Sequence, residues 1–356
     1  MEKLFIVVGT RPNFIKLAPI IREVEKANIN YKIIHTGQHY DETMSDVFFT
    51  ELNIPKPNIT FNVKSSYQGQ QTSKIMSMFE ICCLKRKPDY VMVLGDVTST
   101  LAASLVVSKL PGIKLIHVES GERSFDTTMP EEINRIVTDH LSDYLFCTNK
   151  TAFYNLKSEN IPKEKIFVVG NTMIDSLLYN LPKIKEFKSD IPKPYIIFTL
   201  HRASNVDNKK TLEEILQALE IISKKIHVLF PIHPRTKKRI KDFKLEKYLD
   251  NIKEYKPMSY INFLSCVRKA NIVMTDSGGL QVESAFLGVP CITLRNNTEH
   301  ISTIEQHVNI LVGRNKDKII ETFFGVLKLG MNSMYKDILN DGKTSERIID
   351  ILKGEL

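Results

Sequence analysis

A short glycine-containing segment, Asp276-Ser277-Gly278-Gly279-Leu280-Gln281, follows an apolar run and opens a helical pattern. Two consecutive glycines let a ligand approach the backbone closely, and the free amides at a helix start attract anions. The segment therefore predicts a phosphate-binding site. The alternative is that Ser277 or Asp276 only caps the helix. Glu283, further along this helix, could accept hydrogen bonds from ribose hydroxyls, although an exposed helix glutamate is the default interpretation.

Arg11 and Lys16 are two cations near the start of the first predicted helix, where Pro12 is also favoured. Cations at that end of a helix oppose its dipole unless an anion joins them. With the glycine segment across a cleft, they predict a clamp for a diphosphate. Two further pairs, His201-Arg202 and His233-Pro234-Arg235, predict a cationic wall. Metal binding by these histidines is less favoured, since no carboxylate or cysteine stands near them at ligand spacing.

Four carboxylates, Asp96, Glu119, Glu131 and Glu132, come from three segments of the first half. Carboxylates that converge in a cleft raise one another's pKa, which lets an acid and a base work side by side at neutral pH. The alternative is that Glu131 and Glu132 only suit the first turn of a helix, with the polar residues that follow, Asn134 and Arg135, exposed.

These candidate residues follow short apolar runs that alternate with helical patterns. In the first half the runs cover 4–9, 31–37, 90–96, 114–120, 144–149 and 166–171, and in the second half 195–200, 227–232, 271–275, 290–294 and 308–313. Continuous apolarity predicts parallel strands covered by helices on both faces. Ligands bind outside the carboxyl ends of such strands. The elements therefore place the candidate residues where a ligand would bind.

Residues 181–194 contain three prolines and mixed charge, which is typical of a connector. We therefore predict an N-terminal Rossmann-like domain over 1–180, a linker over 181–194 and a C-terminal Rossmann-like domain over 195–340. Residues 341–356 are predicted to form a C-terminal helix. The fold class is α/β, with two doubly wound parallel sheets around a central cleft.

Composition describes an ordinary globular chain of 356 residues, of which 42% are hydrophobic and 25% charged. The net charge of +8 is not gathered into one basic block, so nucleic acid is not implied. Five cysteines without a CxxC spacing predict reduced thiols in the cytoplasm. The first apolar run is too short for a signal peptide, and no run approaches the ~18 residues of a membrane span.

Several enzyme classes lose support because their signature motifs are absent from the sequence. There is no GxGxxG after the first predicted strand, and neither GxxxxGK[ST], GxSxG nor HExxH occurs. These absences disfavour a nicotinamide-dependent enzyme, a P-loop NTPase, an α/β-hydrolase and a zincin.

The chain resembles the non-hydrolysing UDP-N-acetylglucosamine 2-epimerases along nearly its whole length. The resemblance is carried, in order, by Gly9-Thr10-Arg11-Pro12 with Lys16, Thr36-Gly37-Gln38-His39, Gly95-Asp96, His117-Val118-Glu119, Met129-Pro130-Glu131-Glu132-Ile133-Asn134-Arg135, Val169-Gly170-Asn171-Thr172 with Asp175, Thr199-Leu200-His201-Arg202, His233-Pro234-Arg235-Thr236, and Asp276-Ser277-Gly278-Gly279-Leu280-Gln281. It implies the GT-B fold, a homodimer and a place in polysaccharide biosynthesis. In that fold the C-terminal helix commonly crosses back to the first domain.

The resemblance also implies a reaction, the inversion of C2 of UDP-GlcNAc to give UDP-ManNAc without NAD or metal. UDP is eliminated to leave 2-acetamidoglucal and then added back after a proton returns to the other face of C2. The implied catalytic residues are Asp96, Glu119, Glu131 and His201. The implied substrate-binding residues are Arg11, Lys16, Arg135, Arg202, His233, Ser277, Gly278, Gly279 and Glu283. The C-terminal domain would then bind UDP.

The segment Thr298-Glu299-His300-Ile301 departs from the family pattern, because Thr-Glu-Arg-Pro is common there. Related epimerases acting on UDP-2,3-diacetamido-glucuronic acid also lack that Arg-Pro, so a modified sugar is one alternative substrate. A GT-B glycosyltransferase, a hydrolysing epimerase and a catalytically silent UDP-sugar sensor are further alternatives. A transferase would need an acceptor, and a sensor would bind UDP tightly without exchanging the C2 hydrogen.

Overall fold

The computed structural model describes residues 4–38, 48–63, 67–186, 192–256, 258–331, 335 and 337–355. His39, which belongs to one of the motifs above, lies outside these residues. The chain divides into two units. Unit 1 comprises Met1–Tyr179 and Ile338–Leu356, and unit 2 comprises Asn180–Asp337.

In unit 1 the described residues form one parallel sheet of seven strands. The strands are β1 (Leu4–Val8), β2 (Tyr31–His35), β3 (Ile59–Thr60), β4 (Tyr90–Leu94), β5 (Lys114–Ser120), β6 (Tyr144–Cys147) and β7 (Ile166–Val168). Their order in the sheet is β3-β2-β1-β4-β5-β6-β7. All five residues of β1 and of β4 are buried, as expected for central strands covered on both faces.

Helices alternate with these strands. They are α1 (Arg11–Lys26), α2 (Gln68–Arg86), α3 (Thr98–Val107), α4 (Pro130–Leu141), α5 (Lys150–Ser158) and α6 (Thr172–Glu186), with a 3-10 turn at Lys163–Lys165. Asn13 holds the first turn of α1, because its side-chain oxygen accepts hydrogen bonds from the backbone nitrogens of Gly9 and Thr10. Its Nδ2 donates to the Leu94 carbonyl at the end of β4. Asn13 therefore joins the ends of two neighbouring strands.

Unit 2 repeats the architecture with a parallel sheet of six strands in its described part. These are β8 (Tyr195–Thr199), β9 (His227–Pro231), β10 (Lys253–Tyr255), β11 (Ile272–Thr275), β12 (Cys291–Thr293) and β13 (Asn309–Leu311). The sheet order is β10-β9-β8-β11-β12-β13. The helices are α7 (Ala203–Val206), α8 (Lys209–Ser223), α9 (Pro234–Asp242), α10 (Tyr260–Lys269), α11 (Gly278–Phe286), α12 (Ile301–Glu305) and α13 (Lys316–Leu329), with a 3-10 turn at Glu246–Leu249.

The final helix, α14 (Thr344–Glu355), belongs to unit 1. The buried Asp175 carboxylate on α6 accepts hydrogen bonds from the backbone nitrogens of Thr344 and Ser345, at 3.1 and 2.7 Å. A carboxylate at a helix N-terminus satisfies free amides and complements the helix dipole. Asp175, part of a motif noted in the sequence, thus anchors the end of the chain to unit 1.

The prediction of two doubly wound parallel sheets is confirmed, since every strand pair is parallel and both sheets reverse their order once. Each of the predicted apolar runs contains a strand. β3 and β10 were not predicted, because both are very short edge strands and β10 reads Lys-Glu-Tyr. Helix α6 extends to Glu186, into the stretch where the sequence predicts a linker. A membrane-spanning helix needs about 18 or more mostly apolar residues, and no helix of this kind occurs in the part of the chain that the structure describes.

Candidate active site

The candidate residues lie at the point where each sheet reverses its strand order. In unit 1 that point is between β1 and β4, and in unit 2 it is between β8 and β11. Loops leaving the carboxyl ends of two such strands turn in opposite directions, which opens a crevice where ligands bind. Gly9–Lys16 and Gly95-Asp96 follow the first pair of strands, and His201-Arg202 and Asp276–Gly279 follow the second.

In unit 1 the structure brings Lys16 and Glu119 together. Lys16 Nζ lies 2.5 Å from Glu119 Oε1, and the two side chains are only 8% and 13% exposed. Gly95 borders this pair, because a Cβ at that position would lie 2.7 Å from Lys16 Nζ. The sequence predicted Lys16 as a phosphate clamp and Glu119 as an acid or base. The structure adds that the two form one buried ion pair.

A second ion-paired group surrounds Asp96. Arg135 on α4 binds the Asp96 carboxylate with one guanidinium nitrogen and Glu132, at 2.5 Å, with another. Asn134 Nδ2 donates to the Asp96 carbonyl at 2.8 Å. Asn134 and Arg135 are buried, so the alternative that left these two residues exposed is wrong. They are buried because they face the strand ends and hold the Asp96 loop.

Glu132 and Glu131 are neighbours in the first turn of α4 with different surroundings. Glu132 is buried and accepts hydrogen bonds from the backbone nitrogens of Ser124 and Phe125 and from the Ser124 hydroxyl. Glu131 is half-buried. Among the described residues its carboxylate has neither a hydrogen-bond nor an ion-pair partner. Glu132 therefore supports a loop, whereas Glu131 is available to a ligand.

Arg11 is the first residue of α1 and is half-buried. Arg11 follows β1 and the Asp96 loop follows β4. Because these two strands are neighbours in the sheet, Arg11 stands next to the Asp96 loop. Pro12 occupies the first turn as the sequence predicted. A cation here still opposes the helix dipole, as does Lys16 one turn later, whose charge Glu119 compensates.

In unit 2 a buried carboxylate organises the strand ends. Asp276 accepts hydrogen bonds from the backbone nitrogens of His201 and Arg202 and from Asn205 Nδ2, at 2.9 to 3.1 Å. His201 Nδ1 also lies 3.2 Å from Asp276. The alternative in which Asp276 only caps α11 is therefore wrong, because this carboxylate holds the loop before α7 instead. Ser277 precedes α11, but its side chain makes no capping hydrogen bond.

The two predicted histidines of unit 2 lie near each other. The ring centroids of His201 and His233 are 5.7 Å apart. His233 Nδ1 accepts a hydrogen bond from the Arg235 backbone nitrogen and so caps α9. His201 is half-buried and His233 is exposed. The sequence predicted a cationic wall at neighbouring strand ends. The structure places both imidazoles and Arg202 at this edge of the sheet.

The glycine segment starts α11 beside a buried carboxylate that the sequence did not single out as functional. A Cβ on Gly278 would lie 2.4 Å from Glu299 Oε1, so only glycine fits there without displacing Glu299. Arg295 binds Glu299 at 2.7 Å, and Arg202 approaches it at 3.4 Å. Glu299 thus holds two arginines beside the start of α11, where the free backbone amides favour an anion.

Glu283 is 5% exposed, so the default interpretation of an exposed helix glutamate is wrong. Its Oε1 has no hydrogen-bond partner among the described residues. Burial raises the pKa of Glu283 to about 7, and the Tyr260 hydroxyl only partly opposes this effect. A buried carboxylate with an unsatisfied oxygen is costly unless a ligand donates to it. Glu283 therefore remains a candidate for ribose hydroxyls.

The sequence did not reveal a buried network behind Glu119. Asp139 on α4 is fully buried and binds His117 Nδ1 at 2.6 Å and Arg123 at 2.7 Å. Burial alone would raise the pKa of Asp139, but His117 and Arg123 lower it below its usual value. The described residues contain no group of three histidine, cysteine or acidic side chains able to hold a metal ion.

Comparison with known proteins finds relatives that match nearly the whole chain. A family model described as UDP-N-acetylglucosamine 2-epimerase matches residues 22–353. A relative from Methanocaldococcus jannaschii named UDP-N-acetylglucosamine 2-epimerase is 48% identical, with 98% of each chain covered. A Pseudomonas aeruginosa relative named UDP-2,3-diacetamido-2,3-dideoxy-D-glucuronate 2-epimerase is 37% identical, with 96% of this chain and 95% of the relative covered.

Solved structures extend the comparison to the fold. The crystal structure of the Methanocaldococcus jannaschii UDP-GlcNAc 2-epimerase, in complex with UDP-GlcNAc and UDP, matches with a TM-score of 0.94 and 46% identity over 99% of each chain. The predicted GT-B fold class is thereby confirmed. The ion pairs at the strand ends, the glycine start of α11 and the match along the whole chain lead to one conclusion: this chain belongs to the UDP-N-acetylglucosamine 2-epimerase family.

Proposed function

We propose that this chain interconverts UDP-GlcNAc and UDP-ManNAc by eliminating UDP and adding it back. The observation that carries the proposal is the buried pair of Lys16 and Glu119, 2.5 Å apart, at strand ends where ligands bind. A carboxylate placed there suits proton transfer at a sugar carbon. The names of the relatives from Methanocaldococcus jannaschii and Pseudomonas aeruginosa support 2-epimerisation of a UDP-sugar.

Unit 1 carries the proton chemistry in this proposal. A base removes the C2 proton while the C1–O bond to UDP breaks, and the electron pair of the C2–H bond forms the C1=C2 bond of 2-acetamidoglucal. An acid then returns a proton to the opposite face of C2 as UDP adds back to C1. We assign these steps to Asp96, Glu119 and Glu131. Arg11, at the start of α1, and Arg135, which binds Asp96 from α4, are assigned to substrate binding.

Unit 2 binds the nucleotide and receives the leaving group. The backbone amides of Ser277, Gly278 and Gly279 at the start of α11 suit the diphosphate. His201, Arg202 and His233 stabilise the negative charge that develops on departing UDP. Glu283 accepts hydrogen bonds from the ribose hydroxyls, which satisfies its unpartnered oxygen. Each of these groups acts without NAD or a metal.

Three single variants test this assignment, Asp96→Asn, Glu119→Gln and Glu131→Gln. Each should lower the rate of C2 hydrogen exchange in UDP-GlcNAc by about 10²-fold or more, because general acid and base groups contribute that much. UDP affinity should stay within a few-fold of the unsubstituted protein. Asp207→Asn, which changes an exposed carboxylate paired with Arg235 and Arg239, is the control. Full activity in all three variants would contradict the proposal.

A second substrate, UDP-2,3-diacetamido-2,3-dideoxy-D-glucuronate, is favoured by one feature of the site. His300 stands where the family commonly has arginine, and its Nε2 lies 3.3 Å from the position of a Cβ on Gly278. The Pseudomonas aeruginosa relative is named for this substrate. Comparing kcat/KM for the two UDP-sugars decides between them, and we propose the higher value for UDP-GlcNAc.

We also propose that the chain acts in the cytoplasm as a homodimer. Its five cysteines are all buried free thiols, which suits a reducing compartment. The homodimer follows from the family resemblance. Sedimentation equilibrium would support it with twice the mass of one chain and contradict it with a single-chain mass at all concentrations.

A further inference from the structure

Glu119 holds a backbone conformation that needs support from its surroundings. Its φ is +71°, in the left-handed region that residues with a Cβ seldom adopt. The pairing of β5 with β6 shifts its register between Val118 and Ser120, so Glu119 is the extra residue of a β-bulge. Bulges of this kind redirect a side chain. Here the Glu119 carboxylate is directed at Lys16.

Asp139 binds the chain on both sides of this bulge. Before Glu119, His117 Nδ1 lies 2.6 Å from Asp139 Oδ1. After it, the Gly121 backbone nitrogen and Arg123 Nη1 donate to Asp139 Oδ2, at 3.1 and 2.7 Å. The side chain of Asp139 is 0% exposed. One buried carboxylate on α4 therefore fixes the two ends of the segment that forces Glu119 into its conformation.

His117 extends this support to the neighbouring strand end. Its Nε2 lies 2.9 Å from the Gly95 carbonyl oxygen. Both ring nitrogens of His117 thus face an oxygen atom, one on Asp139 and one on Gly95. Gly95 has a φ of +64° and lies against the Lys16–Glu119 pair. His117 thus links Asp139 to Gly95, which lies beside the Glu119 carboxylate.

Arg123 closes the network on its outer side. Its Nε and Nη2 donate to the two oxygens of Glu159, at 2.6 and 2.7 Å. Arg123 is thus held by two carboxylates, the buried Asp139 and the outer Glu159. Removing the Asp139 charge would leave the buried guanidinium of Arg123 with one outer carboxylate, which is unfavourable. The arrangement is therefore sensitive to Asp139 in particular.

We propose that Asp139 is a positioning residue for Glu119, which acts by clamping His117, Gly121 and Arg123 so that the bulge points the Glu119 carboxylate at the reacting sugar. The activity part of this inference rests on the proposed function. Asp139 does not touch the substrate. Its effect on the reaction passes through the placement of Glu119, and a misplacement of about 1 Å can cost about 100-fold in rate.

A double-mutant cycle tests the coupling between the two residues. Asp139→Asn keeps the shape of the side chain but removes its charge and leaves one oxygen to accept hydrogen bonds. We expect it to lower kcat for C2 exchange by about 100-fold while the Kd for UDP changes by less than about 3-fold. In the Glu119→Gln background, Asp139→Asn should lower kcat by a further factor of less than about 3. An equal loss in both backgrounds would overturn the proposal.

The matched control is Glu159→Gln, which weakens the outer contact of Arg123 and leaves the contacts of His117 and Gly121 with Asp139 intact. We expect its kcat to stay within about 3-fold of the unsubstituted protein. If Asp139→Asn does not fold, His117→Gln removes the Asp139 contact while its amide can still reach the Gly95 carbonyl. It should give the same pattern, with a loss that disappears in the Glu119→Gln background.

A crystal structure of the Asp139→Asn variant separates this inference from the proposed function. We expect the φ of Glu119 to return to negative values and its carboxylate to leave Lys16. An unchanged bulge with the ion pair in place would overturn the proposal. If the unsubstituted protein exchanges no C2 hydrogen in UDP-GlcNAc, the proposed function fails, but the crystal structure still decides whether Asp139 holds Glu119.

Discussion

Lys16 Nζ and Glu119 Oε1 lie 2.5 Å apart although 103 positions separate the two residues in the chain. Lys16 stands on the helix after β1, and Glu119 lies in β5. The sheet order places β4 between these two strands, so its end must be small to let the side chains meet. Gly95 meets that requirement. The pair is thus a direct product of the sheet topology.

Lys16→Met should destabilise the protein by about 3 kcal/mol, because it leaves the Glu119 carboxylate buried without its counter-ion. The double variant Lys16→Met/Glu119→Gln should regain at least half of that free energy of unfolding, since no buried charge is left over. Urea denaturation monitored by circular dichroism measures both values. A single variant as stable as the unsubstituted protein would mean that the ion pair is open to solvent.

Asp276→Asn should lower the free energy of unfolding by about 2 kcal/mol, because an amide group would face the backbone donors of His201 and Arg202. UDP affinity should fall as well, since both residues are assigned to the leaving group. Asp207→Asn serves as the control in the same unit. Its carboxylate is exposed and pairs with Arg235 and Arg239, so it should cost less than about 1 kcal/mol. Equal losses in the two variants would contradict the assigned role of Asp276.

Glu283 should make the stability of the free protein depend on pH. Its pKa is raised from 4.5 to about 7 by burial, so between these values the unfolded chain loses the proton that the folded chain keeps. Stability from this group is complete below the lower value and is lost as pH rises through the upper one. Glu283→Gln should therefore gain up to about 3 kcal/mol over the unsubstituted protein between about pH 5 and pH 8.

Urea titrations of both proteins across that pH range measure this difference. A difference between them that stays constant with pH would show that Glu283 is ionised throughout. UDP added in excess should reduce the pH dependence, because ribose hydroxyls that donate to the carboxylate favour its charged form.

The strands could be predicted from sequence because each is a continuous apolar run, as the fully buried β1 and β4 illustrate. β10 could not, since a three-residue edge strand with two charged residues has no apolar signature. An edge strand has only one neighbouring strand and need not be covered on both faces, so its residues need not be apolar. Sequence patterns therefore identify central strands better than edge strands.

The candidate site was predictable in its residue types but not in its pairings. The sequence grouped Lys16 with phosphate ligands, and its contact with Glu119 depends on the sheet order. Asp139 stands in a polar stretch of helix, and nothing local distinguishes it from an exposed residue. Its burial follows from His117, Gly121 and Arg123, which reach it from the end of β5. Glu283 was predicted as a ribose ligand, and its role stays a prediction.

The most direct test of the proposed epimerisation is proton NMR of UDP-GlcNAc incubated with the purified protein in deuterated water, without acceptor, NAD or added metal. The account predicts that UDP-ManNAc appears with deuterium at C2, and that deuterium also enters C2 of the remaining UDP-GlcNAc. No exchange at C2, with UDP still bound by the protein, would contradict it and point to another UDP-sugar, a transferase or a sensor.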